Sequence, residues 1–275
     1  MMTAYRWGAL FAGMMGLLTV AQSQQHIHLY GVMPTVDVGM PIGEGWYVEN
    51  YSFACILPME QLRPSFGATN VMDAYGPGEV EDGRSVRALV FAYTEFDVTR
   101  TLSPAWSLTG SYTHEWVPSN VVRAEGVERD TRNEHRVWLQ SKYQHKGETV
   151  SWWWRMRWDQ RFIEDLAPQP EATWLVRPRL RQQIGASVGL GQGAVVASTE
   201  GFVEAWDGAK VASGEDRFRE AWSSLQYSRK VNDRFRWDAG PLVVSWKQLG
   251  AEGSLGWSHY WYLQTTAFFT LSQGE

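Results

Sequence analysis

Between Gly147 and Val188 the chain alternates between two kinds of side chain, and no other feature constrains the fold as tightly. The run from Ser151 puts Ser151, Trp153, Arg155, Arg157, Asp159 and Arg161 on one parity, with Val150, Trp152, Trp154, Met156, Trp158 and Phe162 on the other. The run from Thr173 repeats this, with Arg177, Arg179, Arg181 and Gln183 against Trp174, Val176, Pro178, Leu180 and Ile184. Successive side chains of a strand point to opposite faces, so each run is a strand with one cationic face and one apolar face. A soluble sandwich would turn the charged face to water. A membrane barrel has the same period with the placement inverted, apolar outward and polar toward the lumen.

The ends of the chain and its composition favour the second placement. Met1 to Ala21 holds one cation, Arg6, then an apolar run from Trp7. Small residues around Ala21-Gln22-Ser23 would allow cleavage before Gln24, so residues 1–23 read as a secretory signal peptide. No later stretch reaches the roughly 20 apolar residues of a spanning helix, so a membrane protein of this sequence must cross with strands closed on themselves. Sixteen Trp and eleven Tyr in 275 residues suit the two water–lipid boundaries of such a barrel. One cysteine excludes an intrachain disulfide framework, and a net charge of −5 gives no basis for nucleic-acid binding.

Ten strand-like segments follow, near 45–57, 86–99, 105–118, 134–146, 149–163, 173–186, 193–206, 216–231, 234–247 and 257–271. The connections between them alternate long and short without exception, from the long 58–85 to the short Thr101–Pro104, Gly147-Glu148 and Val231–Arg234. Short turns on one rim and longer loops on the other mark an up-and-down barrel. The expectation is an all-β, outer-membrane-type antiparallel barrel over residues 45–275, of about ten strands with twelve allowed, both termini on the short-turn side. Residues 24–44 are either a periplasmic lead-in or an extra edge strand. Trp153, Trp206, Trp222 and Trp246 fall on the polar parity, where bulges or misplaced boundaries would explain them.

Several motifs in order carry a family resemblance: E-H-R-V-W-L-Q at Glu134, R-M-R-W-D-Q-R-F at Arg155, R-P-R-L-R at Arg177, F-V-E-A-W at Phe202 and F-R-E-A-W-S-S-L-Q-Y-S-R-K at Phe218. Over roughly residues 45 to 271 the chain resembles the outer-membrane barrel family known as domain of unknown function 2490, common in Bacteroidota. It departs from the family pattern at Asp159, where an E-x-R would carry Glu. The resemblance implies the fold and a location in the outer membrane of a Gram-negative bacterium, and it brings no established activity.

The candidate site is therefore the polar face. Arg136, Arg155, Arg157, Asp159, Arg161, Arg177, Arg179, Arg181, Glu200, Glu204 and Glu220 would form either a lumen charge network or an anion-binding ladder, since guanidinium forks suit carboxylate and phosphate. Small barrels are filled by side chains, which favours the network and a structural or accessory role. A narrow anion channel is the alternative, and a hydrolase at the extracellular rim, using His114 or His259 in a cross-strand arrangement, is a third. No catalytic residue, metal site or cofactor is assigned. Glu79, Glu81 and Asp82 read as a solvated acidic tip, and His26-x-His28 as a weak metal motif. The expected partners are outer-membrane lipid and lipopolysaccharide and, in a complex, other outer-membrane proteins or lipoproteins.

Overall fold

The computed structural model describes residues 26–56, 89–123, 126–165, 173–204, 218–249 and 255–272. The signal-peptide reading, the 79–82 tip and Trp206 lie outside these residues. The described chain forms eleven strands in one closed barrel: β1 (His26–Gly43), β2 (Trp46–Ile56), β3 (Leu89–Thr101), β4 (Trp106–Arg123), β5 (Gly126–Lys146), β6 (Val150–Asp165), β7 (Thr173–Leu190), β8 (Gly193–Glu204), β9 (Phe218–Lys230), β10 (Phe235–Leu249) and β11 (Leu255–Thr270). Among the described residues no helix is long and apolar enough to cross a membrane, which says nothing against crossing by strands.

Each strand pairs antiparallel with its chain neighbour, and the barrel closes through β1 against β11 in parallel, from His26↔Trp257 to Gly39↔Thr270. An odd number of strands requires one such pair. Residues 26–43 are thus a full stave of the wall. Their prolines and glycines obscure this in sequence, because proline lacks the ladder donor. Pro34 is accommodated where the β1–β2 ladder is interrupted, between Val32↔Ile56 and Thr35↔Phe53. The added strand also corrects the placement of the ends. β1 starts at the rim that carries the long connections and β11 finishes at the short-turn rim, so the described chain begins and ends on opposite rims.

The second difference lies at 119–133, expected as a long loop. There β4 and β5 continue pairing to Arg123↔Gly126. The pairing of β4 with β3 ends at Trp116 and that of β5 with β6 at Glu134, so this hairpin runs on beyond the ladders of its neighbours. The short turns follow local chemistry. Gly191, at φ +59, supplies the left-handed position of the two-residue β7–β8 hairpin. In the β9–β10 turn Lys230 Nζ sits 2.6 Å from Asp233, and that hydrogen bond and charge hold the exposed carboxyl below the usual carboxylate range.

The two faces of the wall differ as the alternation requires. Leu139, Val137, Trp158, Met156, Phe96 and Leu263 point outward and are exposed, whereas the opposite parity packs inside. Outward Trp46, Trp106 and Trp152 stand near the short turns, and Trp174 opens β7 at the other rim.

Candidate functional site

The lumen is built from two unlike halves. On β4 to β9 the inward positions carry charge. The β6–β7 register sets Arg157 opposite Arg181 and Arg161 opposite Arg177, like charges that would repel as direct cross-strand pairs. The arginines therefore reach sideways. Arg181 forks onto Glu200 at 3.0 and 2.9 Å, and Arg155 donates to the same carboxylate at 2.9 Å. Arg179 forks onto Asp159 at 3.2 and 2.9 Å and reaches Glu220 at 3.2 Å. Arg161 joins Glu134 at 2.6 and 2.8 Å and Glu204 at 2.9 Å, while Arg136 bridges Glu134 and Glu115. Bidentate, charge-assisted contacts of this kind are the strongest hydrogen bonds available to side chains.

One member crosses the interior. Arg157, on β6, donates to Glu95 on β3 at 3.1 Å, passing over the two strands between them. Its guanidinium lies 3.5 Å from the Trp138 ring centroid and also donates to Gln140. Tyr93 and Thr113 complete the donors around Glu95. Phe202 lies under two guanidiniums, Arg179 at 4.8 Å and Arg181 at 4.5 Å. Glu134 and Asp159 are fully buried. Charge buried to this degree persists only when it is paired and hydrogen-bonded.

The other half, on β1, β2, β3, β10 and β11, is apolar. Met33, Phe53, Cys55, Phe91, Leu242, Val244, Trp246, Tyr260 and Tyr262 form one buried cluster, joined by Tyr93 and by Val117 of β4. Phe53 stacks on Tyr93 at 4.7 Å and meets Phe91 and Trp222 edge-on, and Trp246 packs against Tyr260 at 4.9 Å. Trp153, Trp222 and Trp246 are thus lumen residues at regularly paired positions, the register shift of β9 falling before Glu220. Trp153 fits because Gly185 opposite leaves room: a Cβ there would fall 2.0 Å from its ring.

Between these halves runs a cavity of about 660 Å³, lined by Arg136, Arg155, Arg157, Arg161, Arg179 and Arg181 on one side and by the aromatic cluster on the other, and reaching toward the short turns. Its short-turn end carries Thr101, Ser103 and Gln144, with Asp37, Glu49, Asp97 and Lys142 on the wall there, and Phe53, Phe91, Trp222 and Trp246 lie further in.

Outside the wall, near the long-connection rim, two polar groupings break the apolar surface. His114 and His135 stack at 4.5 Å; His135 Nδ1 meets Tyr112 Oη at 2.6 Å, and His114 Nε2 meets Asn133 Oδ1 at 3.1 Å. His259 Nδ1 meets Ser245 Oγ at 2.9 Å across β10 and β11. Thr113, the strand neighbour of His114, faces the lumen instead.

A family described as "Protein of unknown function (DUF2490)" matches residues 87–243, more than half of the chain. The chain belongs to this family. No curated protein matches it. Every residue of the ion-pair network, from Glu95 to Glu220, lies inside the DUF2490 match, whereas β1, β2 and β11 lie outside it.

All eleven sequence-derived candidates point into the lumen of this DUF2490 barrel. Arg136, Arg155, Arg157, Asp159, Arg161, Arg179, Arg181, Glu200, Glu204 and Glu220 are joined in ion pairs. Arg177 faces inward at half-burial and has no ion pair among the described residues. The candidate set lacked Glu134, the node between Arg136 and Arg161, although the E-H-R spacing two residues before Arg136 puts it on the same face. It also lacked Lys142 and the acidic trio Asp37, Glu49 and Asp97, which only the closure of β1 brings together.

Proposed function

We propose that this DUF2490 barrel is an outer-membrane protein of a Gram-negative bacterium, exported by a cleaved signal peptide, that serves as a non-conducting structural or accessory component. The Arg157–Glu95 pair carries the reading, because it spans the lumen between strands that are not neighbours. On one side of it the interior is occupied by guanidiniums already matched to carboxylates, and on the other by the aromatic cluster. The arginines that line the cavity are already matched to carboxylates, which favours a structural network over an anion ladder. The exposed outward apolar residues, with Trp at both rims, support a lipid-facing wall with outer-membrane lipid and lipopolysaccharide as its surroundings. Purified protein in planar bilayers should give no steady single-channel steps. Steady openings that disappear in Arg179→Gln would establish an anion channel instead.

A second reading, hydrolysis at the outer rim, is favoured by Ser245 and His259, a hydroxyl and an imidazole at 2.9 Å on the lipid-facing side. Ser245 is only 4% exposed, which ranks this reading behind the first. Esterase activity on a short-chain phospholipid that is lost in Ser245→Ala, with the barrel still folded, would reverse the order.

A further inference from the structure

The short-turn end of the cavity differs from its arginine-lined part in one respect. Where the network lines the cavity every carboxylate meets a guanidinium, whereas at the short-turn end of the same cavity the charges are left apart. Asp37, Glu49 and Asp97, on β1, β2 and β3, line it without an ion-pair cation among the described residues, and Asp37 and Glu49 contact each other. Lys142 on β5 lines the same space and has no carboxylate within ion-pair distance among the described residues; its ammonium lies 5.9 Å from the Trp153 ring centroid. The arrangement also leaves two buried polar atoms without hydrogen-bond partners, Asp97 Oδ1 and, next to Lys142 on the basic wall, Arg155 Nε. Buried polar groups normally find partners, and open ones in a cavity wall are the usual means by which a site orients its ligand.

We propose that this cavity is a binding site, entered from the short-turn rim, for a small zwitterion of the amino-acid or short-peptide class. The ligand's ammonium faces the carboxylates of β1 to β3, and its carboxylate faces Lys142 and Arg155. The two poles exclude a simple dication or dianion, since either would bring like charge against one wall. The whole cavity, about 660 Å³, falls within the range of small-molecule sites, and the aromatic residues further in receive an apolar side chain. Asp37 and Glu49, on β1 and β2, lie in the part of the chain outside the family match, whereas Asp97 and the basic wall lie inside it. The proposal is independent of whether the lumen conducts.

The test is isothermal titration of the refolded full-length barrel in detergent with dialanine, N-acetyl-dialanine and dialanine amide. Folding of each variant is checked by the mobility of unboiled protein on a gel. Saturable dialanine binding is expected. It should weaken at least tenfold on acetylation of the ligand or in Asp97→Asn, and at least tenfold on amidation or in Lys142→Met. The capped peptides need no variant, so the test stands even where a variant fails to fold. Absence of saturable binding overturns the proposal, and so does binding that is unchanged by both caps. Retention of tight binding by folded Asp97→Asn and Lys142→Met would also overturn it.

Discussion

Replacing Glu134 by alanine removes the carboxylate on which two arginines converge. Glu134 is fully buried and accepts from Arg136 Nε, from Arg161 Nε at 2.6 Å and from Arg161 Nη2 at 2.8 Å. Each guanidinium keeps one other partner, Glu115 at 2.5 Å and Glu204 at 2.9 Å. Hydrogen bonds to charged groups contribute about 1.5–3 kcal/mol each, but they do not add within one network. The relevant quantity is the cost of leaving buried charge short of a partner, about 3–5 kcal/mol. Glu134→Gln keeps the shape, yet its amide turns donors toward guanidiniums that can only donate, so it should recover little. Arg177→Ala is the internal control, with no ion pair to lose among the described residues and an expected cost within about 0.5 kcal/mol. Urea titration of the barrel in lipid vesicles, followed by tryptophan fluorescence and gel mobility, gives the comparison. A Glu134→Ala barrel within about 1 kcal/mol of the parent, or an Arg177→Ala barrel equally weakened, would refute the view that pairing holds the lumen together.

Three further outcomes follow from the same architecture. Leu139, 70% exposed on the outer face of β5, should tolerate arginine at near-zero cost if the wall meets water but lose about 2–4 kcal/mol if it meets the middle of a bilayer; unfolding in vesicles distinguishes these. Gly185→Ala should displace the Trp153 ring and cost about 1–3 kcal/mol by overpacking, read as a lower unfolding midpoint and a shifted tryptophan emission. Epitopes placed just before His26 and just after Leu271 should be reached by antibody from opposite faces of the membrane, and labelling of both from one face would contradict the parallel closure.

Ten staves were legible in the sequence because each has one face that must be apolar and one that must not, and that demand writes itself as alternation. Ser151 to Arg161 is the clearest case, and its inward and outward sets are those the structure shows. The same signal fails in two places for opposite reasons. In β1, Pro34, Gly39 and Pro41 resemble breakers, and membership of the wall is decided by β2 and β11 on either side. In the 119–133 hairpin β4 and β5 pair with each other alone, without the β3 and β6 ladders on either side. The candidate site divides similarly. Inward arginines follow from parity, whereas the choice of Glu95 as partner of Arg157 depends on the curvature that brings β3 over β6. The aromatic half was hidden because its residues occupy the polar parity: Trp222 and Trp246 read as errors of register until the barrel closes around them.

The parallel seam has an architectural corollary. Five hairpins with tight turns, β1–β2 through β9–β10, account for ten strands, and β11 is the single stave that completes the ring. Were β1 withdrawn, β2 would face β11 with opposite chain direction, so the remaining ten could close as a wholly antiparallel cylinder. Its girth would fall by one strand spacing, roughly 4.8 Å. Only the first stave can be added or lost at the amino end without reversing any other, and it is this stave that brings Asp37 into the lumen.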